Sequence, residues 1–404
     1  MRRSDVRIGW TLVMALAAGA LFPAATKAAA EKERLPVGEF WARRLSAPPK
    51  LDGQVSPGEW DEALMASGIV AAFDHKMIDA ETTYGFGFDE KNLYFLARCT
   101  RGNREWKLWK TARENDAYSF GDPSIEIWVS PPSLVPETYQ NIVNTYPAVY
   151  DVKNIPSRGY SAMGWSGRWT IGVTETETHY VIEASIPTAD FGVEKVRNGD
   201  VWRLLLCRTA PGCNPRSQGS WSITQGFGEI PQYPKVHLMD DSPVLQVHST
   251  ISAFTGKLDF PMAVVAPRSA PAEVEIELRV HKDIKPADDD RVARQGFSLK
   301  AGERKEFRLA VDAGQWKEGA FTIVGRTKDG TEFFRQALPF TANGFVHAPP
   351  VRPEGAAPPE ELNVKALYGP ASHVILVKAD ILDLPGREKA AGAEVKVIDP
   401  ANGR

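Results

Sequence analysis

Cysteine is scarce, histidine is never clustered, and no long basic run occurs; each shortage removes a class of function. Only Cys99, Cys207 and Cys213 are present, with no Cys-x-x-Cys, so neither a disulfide-stapled miniature scaffold nor a thiolate zinc site is encoded. The seven histidines stand singly, and neither His-Glu-x-x-His nor Gly-x-Ser-x-Gly occurs, so the common metalloprotease and serine-hydrolase signatures are missing. Paired carboxylates of the kind that hydrolyse glycosides are not excluded, because Asp and Glu are abundant and their separation is unreadable from sequence. On balance a non-catalytic chain is expected. A formal charge of −3 and the lack of a basic block argue against nucleic acid or an anionic membrane as partner. No cofactor is implied. Asp288-Asp289-Asp290 reads as a solvated charge run, with a structural calcium site as the alternative.

Long apolar runs are also lacking, except at the start. Arg2, Arg3 and Arg7 precede the mostly apolar stretch Ile8–Phe22, and Ala28-Ala29-Ala30 follows. This is the layout of a cleaved leader, residues 1–30, and its apolar part falls short of the ~20 residues a spanning helix needs. Removing its net +3 takes the charge to −6. The expectation is a secreted, periplasmic or cell-surface protein without membrane insertion after cleavage. That compartment permits a disulfide between Cys207 and Cys213 across the turn Thr209–Gly212, but spacing cannot fix Cβ geometry, so the bond and two thiols both stand. Cys99, at an alternating apolar position, reads as a buried inert thiol.

Hydrophobic residues at 43% and charged residues at 25% describe a folded chain, and 404 residues exceed one ordinary core. With 30 Pro and 33 Gly separating short apolar runs, the class is all-β. An antiparallel sandwich is expected over 37–248. Its clearest parts are a hairpin (Tyr84, Phe86 and Phe88, then Leu93, Phe95, Ala97 and Cys99) and a strand at Ser124–Ser130. Further strands fit Tyr139–Tyr146, Trp169–Thr174, Tyr180–Ile186 and Val201–Arg208. A short helix is predicted at Pro57–Ala66, with Ser56 as N-cap. Alternation at Val274–Val280, Phe307–Leu309 and Phe321–Val324, with a turn at Asp329-Gly330, predicts a smaller immunoglobulin-like sandwich over 249–341. A Pro-rich linker occupies 342–361. Residues 362–404 offer strands at Leu362–Leu367, His373–Ala379 and Ala393–Ile398, too few for a core, so a truncated further β domain is expected.

Several motifs recur in a telling order. Leu51-Asp52-Gly53 with Glu59-Trp60 opens the first domain, and Gly87–Tyr94 and Asp122–Pro131 follow; then come Tyr139–Asn144, Tyr180–Pro187 and Ser220-Trp221-Ser222. In this order they resemble the family 9 carbohydrate-binding modules. The resemblance covers the first domain only. It implies a module that binds an oligosaccharide or polysaccharide, often attached to a glycoside hydrolase, with any catalytic domain missing from this chain. Such modules hold sugar between two aromatic rings, with a Glu and an Arg among the polar partners. Carried over, Phe120 is the first ring, Glu126 the acid and Phe227 the second ring, while the Arg position falls in a strand holding Gln140, Asn141 and Ile142. Trp128, on the face of Glu126 and opposite Ile125, Ile127 and Val129, and Asn144 complete the candidate binding set. That face is expected to be an open groove. Two phenylalanines in place of tryptophans and the lost Arg imply weaker binding, a changed ligand or none; Trp106, Trp109 and Tyr118, among basic residues, and Trp165 and Trp169 are substitutes. Bland readings stand beside these. Trp60 and Trp221 read as core, and Glu126 as the partner of an Arg on a neighbouring strand. Phe120 reads as a cap on the sandwich. A sandwich that has lost sugar binding and serves a structural or protein-interaction role is the second expectation. Haem binding, through Met163 and His179, is the third.

Overall fold

Alternating apolar residues become ladders wherever both strand faces find cover. The structure, a computed structural model, describes residues 35–342 apart from 73, 102–113, 117–118, 156–158, 177, 212, 214–216, 283–286 and 288, together with the strand backbones 363–369 and 374–380. The leader, Trp106, Trp109, Tyr118, Asp288, the linker from residue 343 on and the expected strand Ala393–Ile398 lie outside the described residues.

The first strands are β1 (Glu39–Arg43), β2 (Leu64–Ser67), β3 (Val70–Ala71), β4 (Thr82–Phe88), β5 (Asn92–Thr100) and β6 (Ser124–Ser130). Next come β7 (Thr138–Asn144), β8 (Val149–Ile155), β9 (Tyr160–Ala162), β10 (Thr170–Glu175), β11 (His179–Pro187) and β12 (Asp200–Thr209). They are followed by β13 (Gln218–Ser220), β14 (Lys235–Met239), β15 (Val244–Val247), β16 (Lys257–Val265) and β17 (Ala272–His281). The last are β18 (Arg291–Leu299), β19 (Arg304–Asp312), β20 (Glu318–Thr327), β21 (Glu332–Thr341), β22 (Asn363–Gly369) and β23 (Val374–Asp380).

Two large sheets result, beside an isolated β22–β23 hairpin. The larger runs β18-β17-β20-β21-β1-β14-β12-β6-β7-β8-β9, with β13 paired to the end of β12 and β3 to β13. The smaller runs β10-β11-β5-β4-β2-β15-β16-β19. In β6, Ile125, Ile127 and Val129 register with Arg208, Leu206 and Leu204 of β12, so these side chains share the inner face. Phe86, Phe95, Tyr180 and Ile182 of the smaller sheet are buried in the same core. Arg208, fully buried, ties the sheets together: Nε donates to Tyr180 Oη at 2.9 Å, Nη1 to Thr82 Oγ1 at 3.0 Å and Nη2 to the Thr100 carbonyl at 2.8 Å.

The sheets run on without a seam at residue 248. β1 pairs in parallel with β14 on one side and antiparallel with β21 on the other, and β15 pairs with β16. Phe40 of β1 accordingly packs on both Trp221 and Phe334, with ring centroids 4.9 and 5.0 Å apart.

The helix predicted at Pro57–Ala66 does not form. Residues 57–62 make turns and Leu64–Ser67 is β2. The reason is a tertiary competitor for the helix's acceptors: Gln246 Nε2 donates to the carbonyls of Trp60, Asp61 and Ala63 at 2.9–3.1 Å. Gly58 at φ +86° also breaks the right-handed path.

Candidate functional site

The outer face of β6 is built from Ser124, Glu126, Trp128 and Ser130, because its odd-numbered residues point inward. Across the ladder Glu126 lies beside Ile142 of β7 and Cys207 of β12, and Trp128 beside Gln140 and Leu205. Tyr150 of β8 stands next to Ile142. This face is not the open groove expected. Glu126 is 5% exposed and Trp128 8%: Tyr233, after β13, packs on Trp128, and Phe120, before β6, packs on the neighbouring Tyr150.

The segments before β6 and after β13 bring most of the candidate residues into one line. Phe120, half-buried, meets Tyr150 edge-on at 5.0 Å. Tyr150 adjoins Glu126 closely enough for its hydroxyl pKa, raised by burial, to rise further from Asp116 and Glu126. Trp128 meets Tyr233 edge-on at 6.3 Å, and Tyr233 Oη donates to the carbonyl of Phe227. Phe120, Glu126, Trp128 and Phe227 are thus joined through two tyrosines that sequence reasoning missed. Alternation in β8 puts Tyr150 on the correct face, but nothing in the sequence signals Tyr233, which arrives from a loop.

Glu126 is the centre of this line. Its Oε1 accepts from Trp128 Nε1 at 2.8 Å and from Gln140 Nε2 at 2.7 Å, while Oε2 takes no hydrogen bond among the described residues. The Arg partner of the bland reading is therefore replaced by two neutral donors. Burial dominates its titration, pushing the carboxyl up to about 7 against the smaller opposing pull of Gln140 and Trp128. Gln140, in the strand where the family places an Arg, acts as a neutral donor, which fits a carboxyl kept close to neutrality.

Asn144 has a different duty. Its Nδ2 donates to Asp122 Oδ2 at 3.1 Å, and its Oδ1 accepts from the N–H groups of Tyr146 and Ala148. It shapes the β7–β8 turn and braces the segment carrying Phe120. Cys207 and Cys213 are both buried thiols, so the candidate disulfide is not formed. Cys207 sits inside the β12 ladder between Glu126 and Ser220, and the strand continues to Thr209 before the chain turns. Met163, exposed, accepts from Tyr150 Oη at 3.9 Å, whereas His179 belongs to the other sheet, so the two form no haem-ligating pair. Trp60 and Trp221 are core residues, as their motifs implied; Trp60 Nε1 donates to Glu183 Oε1 at 2.8 Å and Trp221 Nε1 to the Leu204 carbonyl. Asp290 turns inward to His281, Oδ2 to Nδ1 at 2.8 Å, rather than standing in a solvated run. No group of three His, Cys, Asp or Glu that could hold a metal occurs among the described residues.

Residues 51–206 match the model of the carbohydrate family 9 binding domain-like family. This stretch is a family 9-like all-β domain. Among solved structures, a Bacteroides uniformis protein described as carbohydrate-binding is similar at 12% identity and TM-score 0.38, over 50% of this chain and 99% of that one. A family 9 module from Caldicellulosiruptor kristjanssonii is similar both in complex with cellotriose (13% identity, TM-score 0.34, 50% and 93% covered) and with glucose (15%, 0.33, 50% and 95%). No curated protein matches the chain.

Proposed function

We propose that the chain is an exported, non-catalytic carbohydrate-binding protein whose family 9-type domain takes sugar on the outer face of the larger sheet. The carrying observation is the fixed carboxyl of Glu126. Two donors hold one of its oxygens and leave the other for a hydroxyl, with the partly exposed rings of Phe120 and Tyr150 beside it and the buried rings of Trp128 and Tyr233 packed behind. A pyranose asks for this combination: a flat apolar surface for its C–H face and a strong acceptor for its rim. Capture of polysaccharide for a glycoside hydrolase is the role that fits such a module, with the leader providing export.

Titration of the purified chain with a panel of plant and microbial oligosaccharides tests the binding. Phe120→Ala should weaken any bound glycan by up to about tenfold, the value of one aromatic contact. Silence across the panel, with the fold intact, refutes the reading. The burial of Glu126 and Trp128 favours one alternative, a sandwich whose former groove is packed shut and now serves structure alone; that reading predicts the same silence and a strongly destabilised Trp128→Ala.

A further inference from the structure

The smaller sheet carries a polar cleft that the sugar-binding face does not use. Thr82, Cys99 and Tyr180, which register with one another, point into the core. Their neighbours Glu81, Thr83, Arg98, Thr100 and His179 therefore point outward. Most of this outer face is sealed, because Trp60, Leu45 and Met65 pack over Tyr94, Leu96 and Val181. Beyond the seal Glu81, Arg98, Thr100, His179 and His248 line a cleft of about 410 Å³. That is room for a single sugar unit.

Its charges are left unspent. Arg98 is exposed and, among the described residues, has no hydrogen-bond or ion-pair partner. The Glu81 carboxylate is likewise unpaired among them; its backbone carbonyl accepts from the Thr100 N–H at 2.9 Å and from Arg208 Nη1 at 3.4 Å. An Arg and a Glu on one strand face would ordinarily close on each other; here they stand beyond ion-pairing distance. Burial, with Arg304 next, holds His248 below the usual imidazole range, so at neutral pH it offers one donor and one acceptor.

This mixture narrows the ligand. A guanidinium fork matches a carboxylate, whereas a carboxylate side chain only accepts and so requires hydroxyl donors. Phosphate or sulfate would satisfy Arg98 but meet Glu81 as a like charge. A neutral sugar would leave Arg98 unanswered. We infer that this cleft is a second binding site, for a sugar acid of the uronate class, with Arg98 taking the carboxylate and Glu81 and His248 taking ring hydroxyls. The inference stands apart from the Glu126 face.

Calorimetric titration of the full chain with glucuronate, glucose and inorganic phosphate tests it. Saturable millimolar binding of glucuronate is expected, with glucose and phosphate weaker. Arg98→Ala should lower glucuronate affinity by about tenfold or more, and Glu81→Gln severalfold, as fits the loss of charge-assisted hydrogen bonds. Arg98→Lys should fall between; failure of this site is told from failure of the Glu126 face because the cleft is read by glucuronate against Arg98→Ala, and the other face by neutral oligosaccharides against Phe120→Ala. Both cleft side chains lie on the outer face, so an unchanged melting temperature confirms that the variants remain folded. Absence of saturation by glucuronate, phosphate binding as tight as glucuronate, or indifference to Arg98→Ala overturns the proposal.

Discussion

Glu126→Gln is the most informative substitution, because it keeps the shape of the side chain and removes its titration. In the folded chain the carboxyl titrates near 7, against 4.5 for an unperturbed Glu, so it is raised by burial. The folded state therefore binds more protons than the unfolded state between these values, and stability falls as pH rises through that window. The stability tied to the proton is fully present below about 4.5 and lost once pH passes about 7. At 1.36 kcal/mol per pH unit the span corresponds to about 3 kcal/mol, an upper figure if water reaches the ionised group. Gln keeps an acceptor for Trp128 and Gln140 and carries no charge at any pH. Urea unfolding of both proteins at pH 4 and pH 8 should then show near-equal stability at the lower pH and a more stable variant at the higher one, by up to about 3 kcal/mol. Other groups titrate in both chains and cancel in the difference. A wild-type-minus-variant difference that does not change with pH would refute the reasoning, and would mean that the carboxyl is solvated rather than buried.

Three further outcomes follow from the packing. Gln246→Ala removes the donor shared by the carbonyls of Trp60, Asp61 and Ala63, and should lower the urea-unfolding free energy by about 1–3 kcal/mol, the cost of stranded buried acceptors. Gly172→Ala places a methyl against the backbone of Leu51 and Asp52 and should cost about 1–3 kcal/mol, read as a lower melting temperature together with faster proteolysis of residues 45–63. Arg208→Met removes the fully buried tie between the sheets and its donors to Tyr180 Oη, Thr82 Oγ1 and the Thr100 carbonyl; a loss of about 3 kcal/mol or more is expected in urea unfolding.

Periodicity decided a good part of this protein. Strands with clean alternation and cover on at least one face, such as Ser124–Ser130 and the Tyr84–Cys99 hairpin, were legible because a period of two leaves one register for the apolar set. The hairpin turn was legible too, since Asp89 accepts from the N–H groups of Lys91 and Asn92 at 2.7 Å and needs no distant partner. The ordered motifs located the family 9-type domain, and with it Glu126 and its aromatic neighbours. Elements whose partners lie far along the chain were not legible. β16 contains Pro261, which reads as a breaker, yet the residue pairs with Arg308 of β19 and its carbonyl accepts from the His248 N–H at 3.0 Å. β18 is mostly exposed and shows no apolar stripe. The helix predicted at 57–66 failed through Gln246, 180 residues or more away in sequence. Likewise, sequence placed Glu126 on the outer face but could not say that this face is covered, because the cover comes from loops whose contacts follow no period. Composition and alternation set class, strand identity and side-chain face, all local properties of the backbone. Burial, protonation and the meeting of Phe120, Glu126, Trp128 and Phe227 required the tertiary fold, since only packing removes water from a carboxyl and brings distant loops over one strand.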